Sequence, residues 1–354
     1  MSKPILAAML SCETTHLTDE EKYLFSKFNP LGITLFARNI ESKEQVKNLV
    51  DEVKNVINRD DVLIAVDEEG GRVSRLKSIR DFKYVSAEER GKKDVLYSKI
   101  HAELLSSELN ELGINVNYSP VIDKKIICHS SVLETRCFSD NDDNIVSHAL
   151  KEIDGYIEMG VCPCIKHIPG HFSLEKDPHL DVIEADLSYE EIERKVQYLK
   201  NFSNCPMAMT AHIKLTPIDD KNPVTTSKIV INEILRKMMN FDGLIISDAI
   251  DMHALRGSIA QKNNQAIDAG IDVICYCSGK SQDLHAICSE KRFLTEKALN
   301  RFANIKKIIN NKAKHIDIIK YQKHYREIFQ DSFNEKYSYD ATETLHKMQK
   351  KGET

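Results

Sequence analysis

The amino-acid sequence predicts an α/β protein that folds as one (β/α)8 TIM-type barrel. Eight short segments between residues 5 and 277 are almost continuously apolar, and longer amphipathic or polar stretches separate them. Such segments are typical of parallel strands buried on both faces, and a chain of 354 residues is long enough for the barrel. A doubly wound sheet is the alternative, because a count of strands does not show whether the sheet closes.

One of the eight predicted strands contains an unfavourable residue. Pro120 lies inside the fourth strand, where it has no N–H to donate to a neighbouring strand. In chain order, the strands are expected at residues 5–11, 32–38, 62–69, 115–123, 162–168, 207–213, 244–250 and 272–277.

Capping signals mark several helices between these strands. A serine or threonine followed three residues later by glutamate or glutamine forms a capping box, as at Thr18, Ser42 and Ser188. Apolar residues at helical spacing predict further helices over 96–112 and 229–239. We expect a last helix from about residue 313 to 330, so that residues 1–330 form the barrel domain and residues 331–354 a polar, mobile tail.

The composition limits the kinds of molecule that the protein is expected to bind. The net charge is −5 and the basic residues are interleaved with acidic ones, which argues against a nucleic-acid partner. There are nine cysteines but no CxxC pair, so we interpret Cys162 and Cys164 as buried reduced thiols rather than zinc ligands. The apolar stretch at residues 4–10 is too short to span a bilayer and short for a signal peptide. We therefore expect a cytoplasmic protein with no membrane partner, as a monomer.

Ionisable side chains collect where the predicted strands end, which is where barrels of this type carry out their chemistry. The segment Lys166–His179 follows the fifth strand, holds three histidines and cannot be helical because of Pro169, Gly170 and Pro178. Equivalent positions after other strands carry Asp67, Glu68, Glu69, Asp123, His212, Lys214, Asp248 and Asp251.

Five motifs resemble those of the family-three glycoside hydrolases, in particular the single-domain bacterial β-N-acetylglucosaminidases, and they follow one another along the chain in the family's order. That branch has K-H-F-P-G-H-G-D-T-x-x-D-S-H where this chain has KHIPGHFSLEKDPH (166–179), and D-Q-E-G-G-R-V-x-R where it has DEEGGRVSR (67–75). The other three motifs are GITLFARN (32–39), RCF (136–138) and MNFDGLIISD (239–248).

The resemblance implies a retaining β-N-acetylglucosaminidase that removes terminal N-acetylglucosamine from peptidoglycan fragments, the N-acetylglucosaminyl-1,6-anhydromuropeptides, during cell-wall recycling. Asp248 would be the nucleophile, and His179 the general acid/base with Asp177 as its partner. No metal and no cofactor is expected. The residues implied to bind the sugar are Asp67, Arg75, Arg136, Lys166 and His167.

These residue types suit the chemistry. Retaining glycosidases need an ionised carboxylate and a proton donor on opposite sides of the scissile bond. Histidine can act as that donor near neutral pH, and a neighbouring carboxylate can orient it. The chain departs from the family at Glu68, which replaces glutamine and is expected to raise the pKa of one carboxyl in the Asp67–Glu68 pair.

Three other functions fit parts of the sequence. The histidines of the 166–179 segment, with Asp177 and Asp248, could ligate zinc in a metal-dependent barrel hydrolase. A phosphorylase could use the same site, because a neutral histidine repels phosphate less than a carboxylate does. A non-catalytic sugar-binding protein would be consistent with Phe172, Ser173 and Leu174, which replace the family's G-D-T.

Overall fold

Eight parallel strands close into a barrel in the computed structural model, which describes residues 3–125, 133, 135–172, 183–185 and 187–334. Each barrel strand pairs with the next barrel strand along the chain, and the eighth pairs with the first through Ala8–Ile274 and Met9–Cys275. This closure confirms the predicted (β/α)8 barrel and rules out a doubly wound sheet. The barrel strands are β1 Leu6–Leu10, β2 Pro30–Leu35, β3 Leu63–Val66, β4 Val116–Asn117, β5 Cys162–Ile168, β6 Met207–Thr210, β7 Leu244–Ala249 and β8 Val273–Cys275.

Helices surround the barrel. They are α1 Asp19–Phe28, α2 Lys43–Ile57, α3 Ala87–Gly91, α4 Leu96–Glu111, α5 Asp142–Glu158, α6 Tyr189–Val196, α7 Lys228–Val230, α8 Ile259–Ala269, α9 Ser281–Ser289, α10 Glu296–Ile309 and α11 Ile318–Ile328. A π-helix continues α7 over Ile231–Met238, and short 3-10 turns lie at Ala37–Asn39, Lys77–Ile79, Gln197–Phe202, Val224–Thr226 and Ser332–Asn334.

The predicted capping residues begin their helices. Thr18 and Ser188 form complete capping boxes with the glutamates three residues later. Ser42 accepts the N–H of Gln45, whereas the Gln45 side chain accepts the N–H of Glu41 instead of completing the box. Residues from 335 onward lie outside the described part of the chain, so the predicted domain boundary at residue 330 stays a prediction.

The fourth and sixth strands of the barrel are shorter than predicted. The fourth is limited to Val116–Asn117, because Pro120 has no N–H for the ladder and only one isolated bridge, Val121 to Lys166, follows it. The sixth ends at Thr210. The chain then forms a separate short strand, Ile213–Leu215, which pairs in parallel with Ile183–Ala185.

Alternate side chains of the strands supply two apolar layers. On β7, Leu244 and Ile246 face the barrel interior, whereas Ile245 packs in the layer between barrel and helices. Cys162 and Cys164 lie in the interior layer, and the cysteines that the structure describes are free thiols. Within the described ranges, no helix has the length and apolar character needed to cross a membrane.

Candidate active site

An alternating network of charges lies at the carboxyl end of β3. Lys166, the fifth residue of β5, places its Nζ 2.7 Å from Asp67 Oδ1 and 2.7 Å from Glu69 Oε1. Arg136 donates from Nε and Nη2 to the two oxygens of Glu69, at 2.9 and 2.8 Å. Arg75 donates from Nη2 to Asp67 at 3.4 Å. Three cations and two carboxylates from different strands and loops are thus joined in one network.

The network holds its members in their charged states. Burial by itself raises the pKa of Glu69, but the Arg136 and Lys166 charges outweigh burial and bring that pKa well below its usual range. Burial likewise raises the pKa of Asp67, which Lys166 and then Arg75 bring below its usual value. Burial lowers the pKa of Lys166, yet the two carboxylates leave it raised. At neutral pH, the site therefore presents fixed ammonium and guanidinium donors at the barrel mouth.

Glu68 faces away from this network, contrary to the sequence-based expectation. Its carboxylate lies 2.7 Å from Arg80 Nη2 and accepts the N–H groups of Arg75 and Leu76 at 2.9 and 3.0 Å. The expected rise in pKa does not occur at Asp67, because the Glu68 carboxylate is paired with Arg80 instead of lying in the network. The pKa of Asp67 is lowered.

Two glycines turn the chain back so that Arg75 returns beside Asp67. Residues Glu68–Gly70 pair antiparallel with Val73–Ser74. Gly70 and Gly71 have φ angles of +86° and +61°, which residues with a Cβ rarely adopt. A Cβ on Gly70 would also lie 2.6 Å from the carbonyl oxygen of Val85. The GG pair of the DEEGGR motif is therefore required by the turn that closes the network.

A second cluster joins the ends of β4 and β5. Asp123 Oδ2 accepts the backbone N–H and Nδ1 of His167, both at 2.9 Å, and Oδ1 accepts the backbone N–H and Nδ1 of His171 at 2.8 and 3.0 Å. Burial raises the pKa of Asp123, but His171 and the hydrogen bonds from His167 lower it well below its usual value. Burial lowers the pKa of His167, so the ring is neutral with its proton on Nδ1. Its Nε2 is then an acceptor.

Asp123, His167 and His171 are also the metal-binding candidates among the described residues, because their ligand atoms lie within 4.8 Å of one another. Each oxygen of Asp123 already accepts two hydrogen bonds, however. A cation between the carboxylate and the rings would displace both imidazole protons. The cluster fits the orientation of two histidine rings better than it fits a metal site.

Asp248 lies at the carboxyl end of β7, at the same mouth of the barrel as the charge network. It is partly buried, and its Oδ1 accepts the N–H of Ala249 at 2.7 Å. His212 borders it from the end of β6: Nε2 lies 2.9 Å from the Ala249 carbonyl and Nδ1 2.7 Å from the Thr225 hydroxyl. Burial lowers the pKa of His212 although Asp248 opposes that shift, so His212 is a neutral neighbour of the carboxylate.

The structure brings four of the proposed sugar-binding residues, Asp67, Arg75, Arg136 and Lys166, into one network. His167 follows Lys166 and is fixed by Asp123, while Asp177 and His179 lie outside the described residues. The sequence analysis assigned no role to Glu69 or Asp123. Both are carboxylates that follow strands, and this position could have identified them as site residues.

The family described as "Glycosyl hydrolase family 3 N terminal domain" matches residues 6–309. A β-hexosaminidase of Haemophilus influenzae is 31% identical over 284 residues, covering 76% of this chain and 79% of that protein. One from Hydrogenovibrio crunogenus is 32% identical over 289 residues, covering 78% and 79%. NagZ from Neisseria gonorrhoeae, solved in complex with N-trifluoroacetyl-D-glucosamine, aligns with a TM-score of 0.79 at 27% identity, over 92% of this chain and 98% of NagZ.

Proposed function

Because this chain belongs to glycosyl hydrolase family 3, we propose that it is a retaining enzyme that releases N-acetylglucosamine from N-acetylglucosaminyl-1,6-anhydromuropeptides. The coarser activity follows from its relatives: the chain is a glycosidase of the β-N-acetylhexosaminidase kind. The observation that best supports sugar binding at this mouth is the network in which Glu69 holds Lys166 and Arg136.

A sugar presents hydroxyls that both donate and accept hydrogen bonds, together with an acetamido group. Lys166 and Arg136 supply donors only, whereas Asp67 and the Nε2 of a neutral His167 supply acceptors. The two sets lie on adjacent residues of β5 and on the loops after β3 and β4. The mouth of the barrel thus offers complementary partners to a polyol, and it does so with side chains that are already oriented.

Asp248 is the proposed nucleophile. The N–H of Ala249 donates to its carboxylate, and an ionised carboxylate at this position can attack an anomeric carbon. In the first step the carboxylate bonds to the anomeric carbon while the bond to the leaving oxygen breaks. His179, held by Asp177, would protonate that oxygen and then take a proton from the water that opens the glycosyl–Asp248 ester.

The assignment of His179 and Asp177 is supported by the motif of residues 166–179 alone, since both residues lie outside the described part of the chain. The cytoplasmic location and the monomeric state are further predictions from the sequence.

The direct experiment is an assay of the purified protein on N-acetylglucosaminyl-1,6-anhydromuropeptide and on an aryl N-acetylglucosaminide, with the first-formed sugar followed by NMR. We expect release of the β-anomer of N-acetylglucosamine, because two displacements retain the configuration. Release of the α-anomer would contradict a glycosyl–enzyme intermediate that water opens. If the protein hydrolyses the aryl glycoside but not the muropeptide, peptidoglycan fragments are not its substrate.

Two additions to the same assay separate the rival functions. A phosphorylase would require inorganic phosphate and form the sugar 1-phosphate, so we expect turnover without phosphate. A metal-dependent hydrolase would lose activity in a chelator and regain it with zinc. We expect a chelator to leave the rate unchanged.

A further inference from the structure

Helix α11, the last α-helix in the described part of the chain, supplies a buried hydroxyl that packing alone does not explain. The family match ends at residue 309, and α11 begins at Ile318. Tyr325 of this helix is fully buried, with its ring centroid 5.7 Å from that of Phe82 and 4.6 Å from that of Phe329. A phenylalanine would fill the same space, and burying a hydroxyl costs free energy unless it forms hydrogen bonds.

The Tyr325 hydroxyl does form them, and its partners lie behind the glycine turn of the active site. It accepts the backbone N–H of Val85 at 3.2 Å and lies 3.0 Å from Nδ1 of His101. Burial raises the pKa of Tyr325, so the hydroxyl keeps its proton. Burial, and then the charges of Arg90 and Arg80, lower the pKa of His101, so the imidazole is neutral.

The segment that Tyr325 holds lies directly against the turn. The N–H of Gly71 donates to the carbonyl of Tyr84 at 2.9 Å. The Cα of Gly70 is so close that an added Cβ would lie 2.6 Å from the Val85 carbonyl oxygen and 2.8 Å from Cε1 of His101. Movement of Val85 or of the His101 ring would therefore be transmitted to Gly70 by direct contact.

Arg90 completes the connection to the charge network. Its Nη1 donates to the carbonyls of Val85 at 2.9 Å and Glu69 at 3.3 Å, and its Nη2 lies 2.9 Å from Glu152 in a buried ion pair. The backbone of Glu69 is thus fixed from one side, while its carboxylate holds Arg136 and Lys166 on the other.

We propose that Tyr325 is a positioning residue for the sugar-binding network. Its hydroxyl fixes Val85 and His101, which fix the glycine turn, and the turn sets where Glu69 holds Lys166 and Arg136. The identity of the bound sugar rests on the proposed function. The contacts that connect Tyr325 to the network do not depend on that function.

The test is Tyr325→Phe, which removes the hydroxyl and keeps the ring. Tyr321→Phe is the matched control, because Tyr321 lies one turn earlier on the same helix and is partly buried against the same core. With the aryl N-acetylglucosaminide, Tyr325→Phe is expected to lower kcat/KM about tenfold, mainly through a higher KM, as the loss of one well-placed hydrogen bond would do. Tyr321→Phe should match the unmodified enzyme.

A purely structural role for Tyr325 is separated from positioning by a double-mutant cycle. If Tyr325 acts through Glu69, adding Tyr325→Phe to Glu69→Gln should change KM little further. The proposal would be overturned if Tyr325→Phe lowered the melting temperature but left KM unchanged. It would also be overturned if Tyr325→Phe raised KM by the same factor with and without Glu69→Gln.

Hydrogen exchange provides a readout that needs no substrate. The amides of residues 69–76 should exchange about tenfold faster in Tyr325→Phe than in Tyr321→Phe, because the turn opens more often. Unchanged exchange there would overturn the proposal even in a protein without glycosidase activity. Inactivity of the unmodified enzyme together with faster exchange would instead overturn the proposed function and leave the positioning role supported.

Discussion

Glu69 and Arg136 form a buried bidentate ion pair, with Nε and Nη2 of the guanidinium 2.9 and 2.8 Å from the two carboxylate oxygens. The pair links the turn after β3 to the loop after β4, and Lys166 from β5 shares the same carboxylate. Arg136 and Lys166 are donors proposed for the substrate, so Glu69 sets their positions without contacting the reacting atoms in the proposed mechanism.

The first prediction is that Glu69→Gln weakens substrate binding and destabilises the fold. Glutamine keeps the shape of the side chain but leaves Arg136 and Lys166 with one buried carboxylate fewer. Breaking a buried pair in this way costs about 3–5 kcal/mol of unfolding free energy. We expect that loss in urea titrations, and a rise of KM for the aryl glycoside in folded protein at 20 °C.

Glu111→Gln is the matched control for this change. Glu111 also pairs with two cations, Lys43 and Lys47, at 3.2 and 3.3 Å, but all three side chains are exposed. Exposed pairs contribute about 0–1 kcal/mol. Equal effects of Glu69→Gln and Glu111→Gln on stability and KM would contradict the role assigned to Glu69.

The second prediction concerns acid. The pKa values of Glu69 and Asp67 are lowered in the folded state relative to about 4.3 and 3.9 in an unfolded chain. The unfolded state therefore binds more protons in acid, so these groups stabilise the fold fully above about pH 5 and lose that contribution as pH falls through the folded pKa values. Urea titrations from pH 6 to pH 3 should show a smaller decrease in unfolding free energy for Glu69→Gln than for the unmodified protein. Equal decreases in the two proteins would show that groups other than Glu69 cause the sensitivity to acid.

The sequence predicted the structure best in segments whose conformation depends mainly on their own residues. Strand β5, with both faces buried, has the predicted bounds of 162–168. The side on which a carboxylate points depends on distant partners. Glu68 pairs with Arg80, and Asp123 holds His167 and His171 across 44 and 48 residues of chain, which no local pattern encodes.

The third prediction separates His179 from a structural histidine. A sugar alkoxide needs protonation to leave, whereas a nitrophenolate does not. His179→Ala should therefore slow the first step for the muropeptide about 10²–10⁴-fold more than for the activated aryl glycoside. The second step loses its base for both substrates, so stopped-flow should show a burst of phenol and then slow turnover.

Asp177→Ala is the companion variant, and it should show a milder form of the same pattern because the imidazole remains but is less well oriented. Equal losses for both substrates without a burst, in a His179→Ala protein of unchanged circular dichroism, would require another acid.

The proposed chemistry depends most on Asp248, and a trapped intermediate tests it directly. A 5-fluoro-N-acetylglucosaminyl fluoride slows both steps, and its fluoride leaving group needs little protonation, so the glycosyl–enzyme should accumulate. Intact-mass measurement should show one added sugar, and peptide mapping should place it on Asp248. Asp248→Asn should bind N-acetylglucosamine, lose turnover by several orders of magnitude and take no label. A label on another residue, or near-normal turnover of Asp248→Asn, would contradict the mechanism.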